Sequence, residues 1–253
     1  MSDKALTAPS FLLTLPEADL DGGFAVTYIS SQDEHCDTCR IYPDDEVLDE
    51  IGGTDVSDCL VEMGMDEDFD ELLEGVGSWE KNGSEILIRD NMVRLLETSI
   101  TATFLGCHPQ EVLRYILTLA GVEKYVLAQD EFPVKPAFTV DTQNACEAIK
   151  QMNSAWGLDT AFFYWGDTFY WGTAPEQEEV YELNDQNVLD MEKEGEKWTA
   201  DIIGVPWLHH SQVVIVDHEK LIGVGEITKV VIRSSGEGFC DMYVEFKEVP
   251  ENG

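Results

Sequence analysis
Phe24-Ala25-Val26-Thr27-Tyr28-Ile29 is a β-branched and aromatic run behind the turn signal Gly22-Gly23, and it predicts a strand. Beyond it the spacing of apolar positions changes. Leu48 with Ile51, and Phe69 with Leu72, Leu73 and Val76, recur at three and four residues. That period predicts short helices over 44–51, 56–63 and 66–76. A broader helical stripe follows, with Ile86, Ile88, Met92, Val93, Leu95, Leu96 and Ile100 behind a candidate cap at Ser84. His108-Pro109-Gln110-Glu111 opens another helix over 112–119, closed by Gly121, and the two predict a packed helix pair. Short strands are expected at 125–127 and 137–140.

From 141 onward the pattern mixes helix and strand. Asp141 or Thr142 is placed to cap a helix running to Met152. Two aromatic runs, 160–165 and 168–171, flank the two-residue turn Gly166-Asp167 and predict a hairpin. Residues 198–204 read as the end of a helix, and 212–216, 221–224, 226–232 and 240–246 as a meander of strands. The predicted class is therefore α+β: an acidic N-terminal region of short helices, a central helix pair and a C-terminal, mainly antiparallel sheet. Residues 1–140 form the helix-rich region and 141–253 the region with the aromatic hairpin and the meander. No repeat of fixed period is visible.

Charge changes the picture most. There are 51 Asp and Glu against 15 Lys and Arg, a formal charge of −36. Self-repulsion on that scale opposes a compact state, so something must be gained by keeping it. A hydrophobic content of 43% supplies real cores and excludes a disordered acidic tail. The acids gather in two tracts. Residues 33–90 hold 20 carboxylates and three basic side chains, and residues 176–196 hold nine carboxylates and one Lys.

On helices, carboxylates four residues apart lie about 6 Å apart along the axis. Duplex DNA presents one charge per roughly 1.7 Å. The tracts thus predict an acidic decoy that binds and blocks a basic, nucleic-acid-binding protein such as a restriction or other defence enzyme. Its surface would comprise Asp44, Asp45, Glu46, Asp49, Glu50, Asp55, Asp58, Glu62, Asp66, Glu67, Asp68, Asp70, Glu71 and Glu74 in the first tract. The second tract adds Glu176, Glu178, Glu179, Glu182, Asp185, Asp190, Glu192, Glu194 and Glu196. In general character the chain resembles the small, folded, strongly acidic antirestriction and DNA-mimic proteins carried by phages and plasmids. That likeness is compositional and carries over no functional residue. A nuclease-toxin immunity protein is the alternative physically nearest to it. Salt adaptation fits less well, since Glu outnumbers Asp 28 to 23 and Lys outnumbers Arg 10 to 5.

Candidate chemistry is sparse. No signal-peptide pattern or membrane span is visible, and a cytoplasmic, non-enzymatic protein without a cofactor is expected, with a homodimer as a way to extend the charge array. His35-Cys36-Asp37-Thr38-Cys39 is the metal-like cluster, yet zinc takes about four ligands and no second pair accompanies it. Its cysteines are expected to be plain thiols of a surface loop, their pKa raised by the surrounding acids. Glu17, Asp19 and Asp21 open like a calcium loop but meet Tyr28 at the twelfth position, and Asp66, Asp68 and Asp70 likewise lack the required Gly and Glu. His209-His210 and His218 near the last strands are expected to be packing or surface residues. Asp217, Glu219 and Lys220 match a nuclease site only loosely, and a phosphate substrate would be repelled. Neither a P-loop nor a Gly-x-Ser-x-Gly elbow is present.

Overall fold
Strand, not helix, dominates: the described residues form eighteen strands and four helices. The structure is a computed structural model, and it describes residues 9–65, 68–177, 179–235 and 240–250. First come β1 (Ser10–Leu15), β2 (Ala18–Leu20), β3 (Phe24–Ser31), β4 (Thr38–Pro43), the short helix α1 (Asp45–Ile51), β5 (Cys59–Met65), β6 (Asp68–Glu80) and β7 (Glu85–Arg89). A middle stretch holds α2 (Met92–Glu97), β8 (Ile100–Cys107), α3 (Pro109–Leu119), β9 (Tyr125–Leu127), β10 (Lys135–Thr142), α4 (Ala145–Trp156), β11 (Phe162–Trp165) and β12 (Thr168–Trp171). Then follow β13 (Tyr181–Asn184), β14 (Val188–Glu194), β15 (Lys197–Ile202), β16 (Val213–His218), β17 (Leu221–Ser234) and β18 (Cys240–Glu248). Two compact units result, one from the chain up to Asp90 together with Gln177 onward, the other from Asn91–Glu176.

The first unit is one strand network in the order β14-β15-β18-β17-β3-β4-β7-β6-β5-β1-β2, with β16 added to β17 and β13 to β16. Every pairing is antiparallel except β13 with β16. Two long strands turn the corners. β17 pairs β16 along its first half and β3 along its second, with a register shift between Ile227 and Lys229. β6 leaves β5 at Gly75 and continues along β7 from Val76. Inward residues such as Val26, Ile41, Ile88, Val214, Ile232 and Phe246 join one apolar core.

The α+β class with a helical N-terminal region is corrected by these pairings. Of the three short helices expected there, α1 exists, capped by Asp44, whose carboxylate accepts from the Val47 amide at 2.9 Å. The segments expected as helices over 56–63 and 66–76 are largely β5 and β6. The cause is a bulge: Val61 faces Leu73 and Glu62 faces Glu71, so Leu72 is an extra residue. An inserted residue shifts the phase of an alternating strand and makes Leu72 and Leu73 adjacent buried positions, which imitates helical spacing. Gly75 confirms the close packing of backbones here, because a Cβ on it would lie 2.0 Å from the Arg89 carbonyl oxygen. Gly75→Ala is expected to destabilise this unit by at least about 1–3 kcal/mol, read as a lower urea midpoint at unchanged slope.

The central helix pair is also redrawn. Ile86 and Ile88 point inward from strand β7, and only Met92–Glu97 of the expected stripe is helical. Residues 198–204 hold β15, in which Trp198, Ala200 and Ile202 alternate inward. Residues 221–224 and 226–232 belong to the single strand β17.

In the second unit α3 and α4 pack on each other and on the antiparallel pair β8–β10. The Glu111 carboxylate accepts from the His108 amide at the start of α3, and Asn144, not Asp141 or Thr142, caps α4. The aromatic runs form the hairpin β11–β12, with Phe163, Tyr164, Phe169 and Trp171 buried. The Trp171 indole N–H donates to Asn153 Oδ1 at 3.0 Å, and the Asn153 amide donates in turn to the Thr160 carbonyl.

Candidate functional site
The carboxylates singled out from the sequence are spread over several elements. Asp44, Asp45, Glu46, Asp49 and Glu50 cap or line α1, and all are exposed. Asp55 and Asp58 lie exposed in the loop before β5, where Asp55 accepts from the Ser57 amide. Glu62, Asp68, Asp70, Glu71 and Glu74 sit on β5 and β6, with Glu62 directly across from Glu71. Glu182 is on β13, Asp185 just after it, and Asp190, Glu192, Glu194 and Glu196 are on or beside β14. Glu176 belongs to the second unit and Glu179 to the first. Asp66, Glu67 and Glu178 lie outside the described residues. Apart from the seven-residue α1, no described acidic tract is helical, so the regular 6 Å rows expected on helices are not formed.

An apolar patch stands out against this charge. On the outward face of β16 and β17, Ile215 pairs with Val224, Val213 with Glu226, and Asp217 with Ile222. Ile222 is 82% exposed, and Val213, Ile215 and Val224 are also exposed. Glu182 extends the row across β13, opposite Ile215. Glu226 accepts from the Gln32 side chain and faces Lys247, which leaves Glu182 and Asp217 as the acidic border. Because successive residues of a strand face opposite ways, Val214 and Val216 enter the core while their neighbours stay outside.

Beneath the surface of the same unit lies a polar cluster. Asp37, from the His-Cys-x-x-Cys stretch, is buried beside His209 and His210 on the loop between β15 and β16. Asp37 Oδ2 is 2.6 Å from His209 Nε2 and accepts from the Tyr28 hydroxyl at 3.2 Å. Its Oδ1 accepts from the Ser31 amide, and its own amide donates to the Asp90 carboxylate. Burial alone pushes the Asp37 carboxyl up, but the charge and hydrogen bond of His209 more than reverse this and hold it below the ordinary range. Burial pushes His209 down in the same way, and Asp37 outweighs it, raising the imidazole above its usual value. His210, buried and next to the His209 charge, is pushed down to about 3.

One reading of this region from the sequence needs correction. Cys36 and Cys39 are buried, not surface thiols, and burial comes before any neighbouring charge in raising the Cys39 thiol. The His pair packs in the interior, one of the two places expected for it, and meets Asp37 from more than 170 positions away. Nothing in the spacing showed that contact, since adjacent histidines and a lone Asp do not form a linear motif. Ser211, His210 and Asp37 can be drawn as a nucleophile triad, but Ser211 Oγ meets Nδ1 and His210 Nε2 is 3.7 Å from the carboxylate, beyond hydrogen-bond reach. His218 stands elsewhere, near Asp185. The Lys220 ammonium is held by Asp190 and the Met191 carbonyl.

No family model and no curated protein matches the chain. Solved structures do. The fold is similar to that of phage tail proteins. The chain is similar to the prophage MuSo2 43 kDa tail protein of Shewanella oneidensis, with a TM-score of 0.71 and 11% identity over 95% of this chain and 98% of that one. A tail protein from Neisseria meningitidis MC58 gives a TM-score of 0.67 at 11% identity, over 95% of this chain and 96% of that one. The E. coli c3393 protein is a type VI secretion component with structural similarity to the T4 tail proteins gp27 and gp5. It gives 0.61 at 10% identity, over 98% of this chain and 76% of that one. This likeness along nearly the whole chain overturns the acidic-decoy reading, with its antirestriction and immunity variants and its nucleic-acid-binding partner. The decoy rested on helical charge rows, and among the described residues the acids are carried mainly by strands and loops.

Proposed function
We propose that the chain is a non-enzymatic structural subunit of a phage-tail or secretion-type assembly, working by docking to other subunits. The observation that carries this reading is a fold held in common, end to end, with tail proteins of almost the same aligned extent. A physical feature agrees with it. Exposed apolar residues grouped on one sheet face, bordered by carboxylates, are costly to leave in water and are characteristic of interaction surfaces. The occupant best suited to the β16–β17 face is a different structural subunit with an apolar centre and Lys or Arg at its border. A second copy would bring its own −36 against the first, whereas a basic border would pair with Glu182 and Asp217.

The test is immunogold labelling of tail-like particles from cells that make the protein. Label concentrated at one position along the particles supports the reading, and protein found only in the unassembled fraction rejects it. The surface has its own prediction. Ile222→Lys combined with Ile215→Lys is expected to leave the unfolding free energy within about 1 kcal/mol of the parent, because both positions are exposed and each Lys would stand across from an acid, Asp217 or Glu182. Incorporation into particles should fall to background. Normal incorporation of the folded variant would move the docking site elsewhere.

A further inference from the structure
We propose that Asp37, His209 and His210 form a binding site for one divalent transition-metal ion of the zinc class. The inference is independent of the assembly reading, and neither depends on the other.

Convergence is the first argument. One ligand atom from each of the three side chains lies within 4.8 Å of the others. All three residues are at least partly shielded, with 4% exposure of the Asp37 side chain, 13% of His209 and 6% of His210. The orientation of the rings is the second. His209 Nδ1 is 2.8 Å from the His210 carbonyl, a group that can only accept, so Nδ1 carries a hydrogen. Its Nε2 is thereby presented to Asp37, and a lone pair facing a carboxylate at 2.6 Å requires a cation between them, a proton or a metal. His210 is anchored in the same sense, its Nδ1 held by Ser211 Oγ at 2.8 Å and its Nε2 directed at the same carboxylate. Metal-bound imidazoles are held in this way, the remote nitrogen fixed by an outer hydrogen bond and the other turned to the ion.

Distances are compatible with small adjustments. Bonds of 2.0–2.1 Å to a tetrahedral ion place neighbouring ligand atoms about 3.3 Å apart. The His209 contact of 2.6 Å would lengthen and the His210 contact of 3.7 Å would shorten to reach it. Both shifts are below about 1 Å, and a bound metal would take the place of the proton at His209 Nε2. Two nitrogens and one carboxylate suit zinc, cobalt or nickel, whereas magnesium and calcium prefer oxygen throughout. A water molecule would complete four-coordination. Ser211 adds a local sign, since it holds a left-handed φ of 66° immediately after the pair, a conformation that a non-glycine residue keeps only where its surroundings impose it.

The surface carboxylates set the design of the experiment, because any acidic protein collects divalent ions weakly. Full-length protein is dialysed against zinc in a large excess of magnesium, and bound zinc is measured by elemental analysis. One equivalent per chain is expected. Cobalt loaded under the same conditions should give the intense visible band of a four-coordinate site. His209→Gln and His210→Asn should each weaken zinc binding by more than about tenfold, the scale on which even outer-shell changes act. Circular dichroism of the metal-free variants checks that they fold. If they do not, the cobalt spectrum of the unaltered protein decides alone. No retained zinc, a weak six-coordinate cobalt spectrum, or undiminished binding by both folded variants would overturn the site.

Discussion
Trp171→Ala is expected to cost the second unit about 3–5 kcal/mol from lost packing alone, the usual scale for a fully buried Trp reduced to Ala. Two further losses accompany it. Phe132 packs edge-on against the indole at 5.7 Å, and Asn153 Oδ1 loses its donor in a buried setting. An orphaned buried acceptor adds about 1–3 kcal/mol. Against a total stability of about 5–15 kcal/mol for a domain, this is enough to unfold the unit near 37 °C. Limited proteolysis reads it directly: new cleavage should fall within 91–176. Trp171→Phe keeps much of the apolar area but not the N–H, and should be intermediate. A variant with the parent's proteolytic pattern would show that the hairpin is not the centre of that core.

Asp37→Ala should be comparably severe in the first unit. Breaking a buried ion pair by removing one partner costs about 3–5 kcal/mol, because the other charge is left buried and uncompensated. Here His209 sheds its proton once Asp37 is gone, so the larger part of the loss comes from the Tyr28 hydroxyl and Ser31 amide, which are left buried without their acceptor. Measured in chelator by urea unfolding, Asp37→Ala should lower the midpoint more than His209→Ala does. The double variant should lie well short of the sum. Strict additivity would mean that the contact contributes nothing specific and that the loss is one of volume.

The sequence carried local structure better than topology. Strand β3, helix α3, helix α4 and the aromatic hairpin were all visible in short-range patterns and turn residues. The acidic N-terminal part was misread because a bulge at Leu72 converted the period of a strand into that of a helix. The sharper signal lay beside it, in Gly75-Val76-Gly77, since paired glycines within a strand mark a close approach of backbones. Charge composition pointed toward a basic partner but said nothing about which elements display the acids. The Asp37–His209–His210 cluster was out of reach for another reason. Its members come from two motifs that were each too weak alone, and only the sheet order brings them together.

The division of the first unit into two stretches of chain has a consequence for how the molecule is made. β3 must wait for β17, some 200 positions later, before its second edge is paired. The segment from Asn91 to Glu176 is synthesised in the interval, and its own contacts are complete before the larger sheet can close. During translation the early strands therefore stand for many seconds with an open edge, at synthesis rates of about 5–20 residues per second. Such edges invite pairing with neighbouring nascent chains. Twenty carboxylates between residues 33 and 90 follow β3 directly in the chain. Mutual repulsion between nascent copies opposes such pairing in the ribosome-bound state.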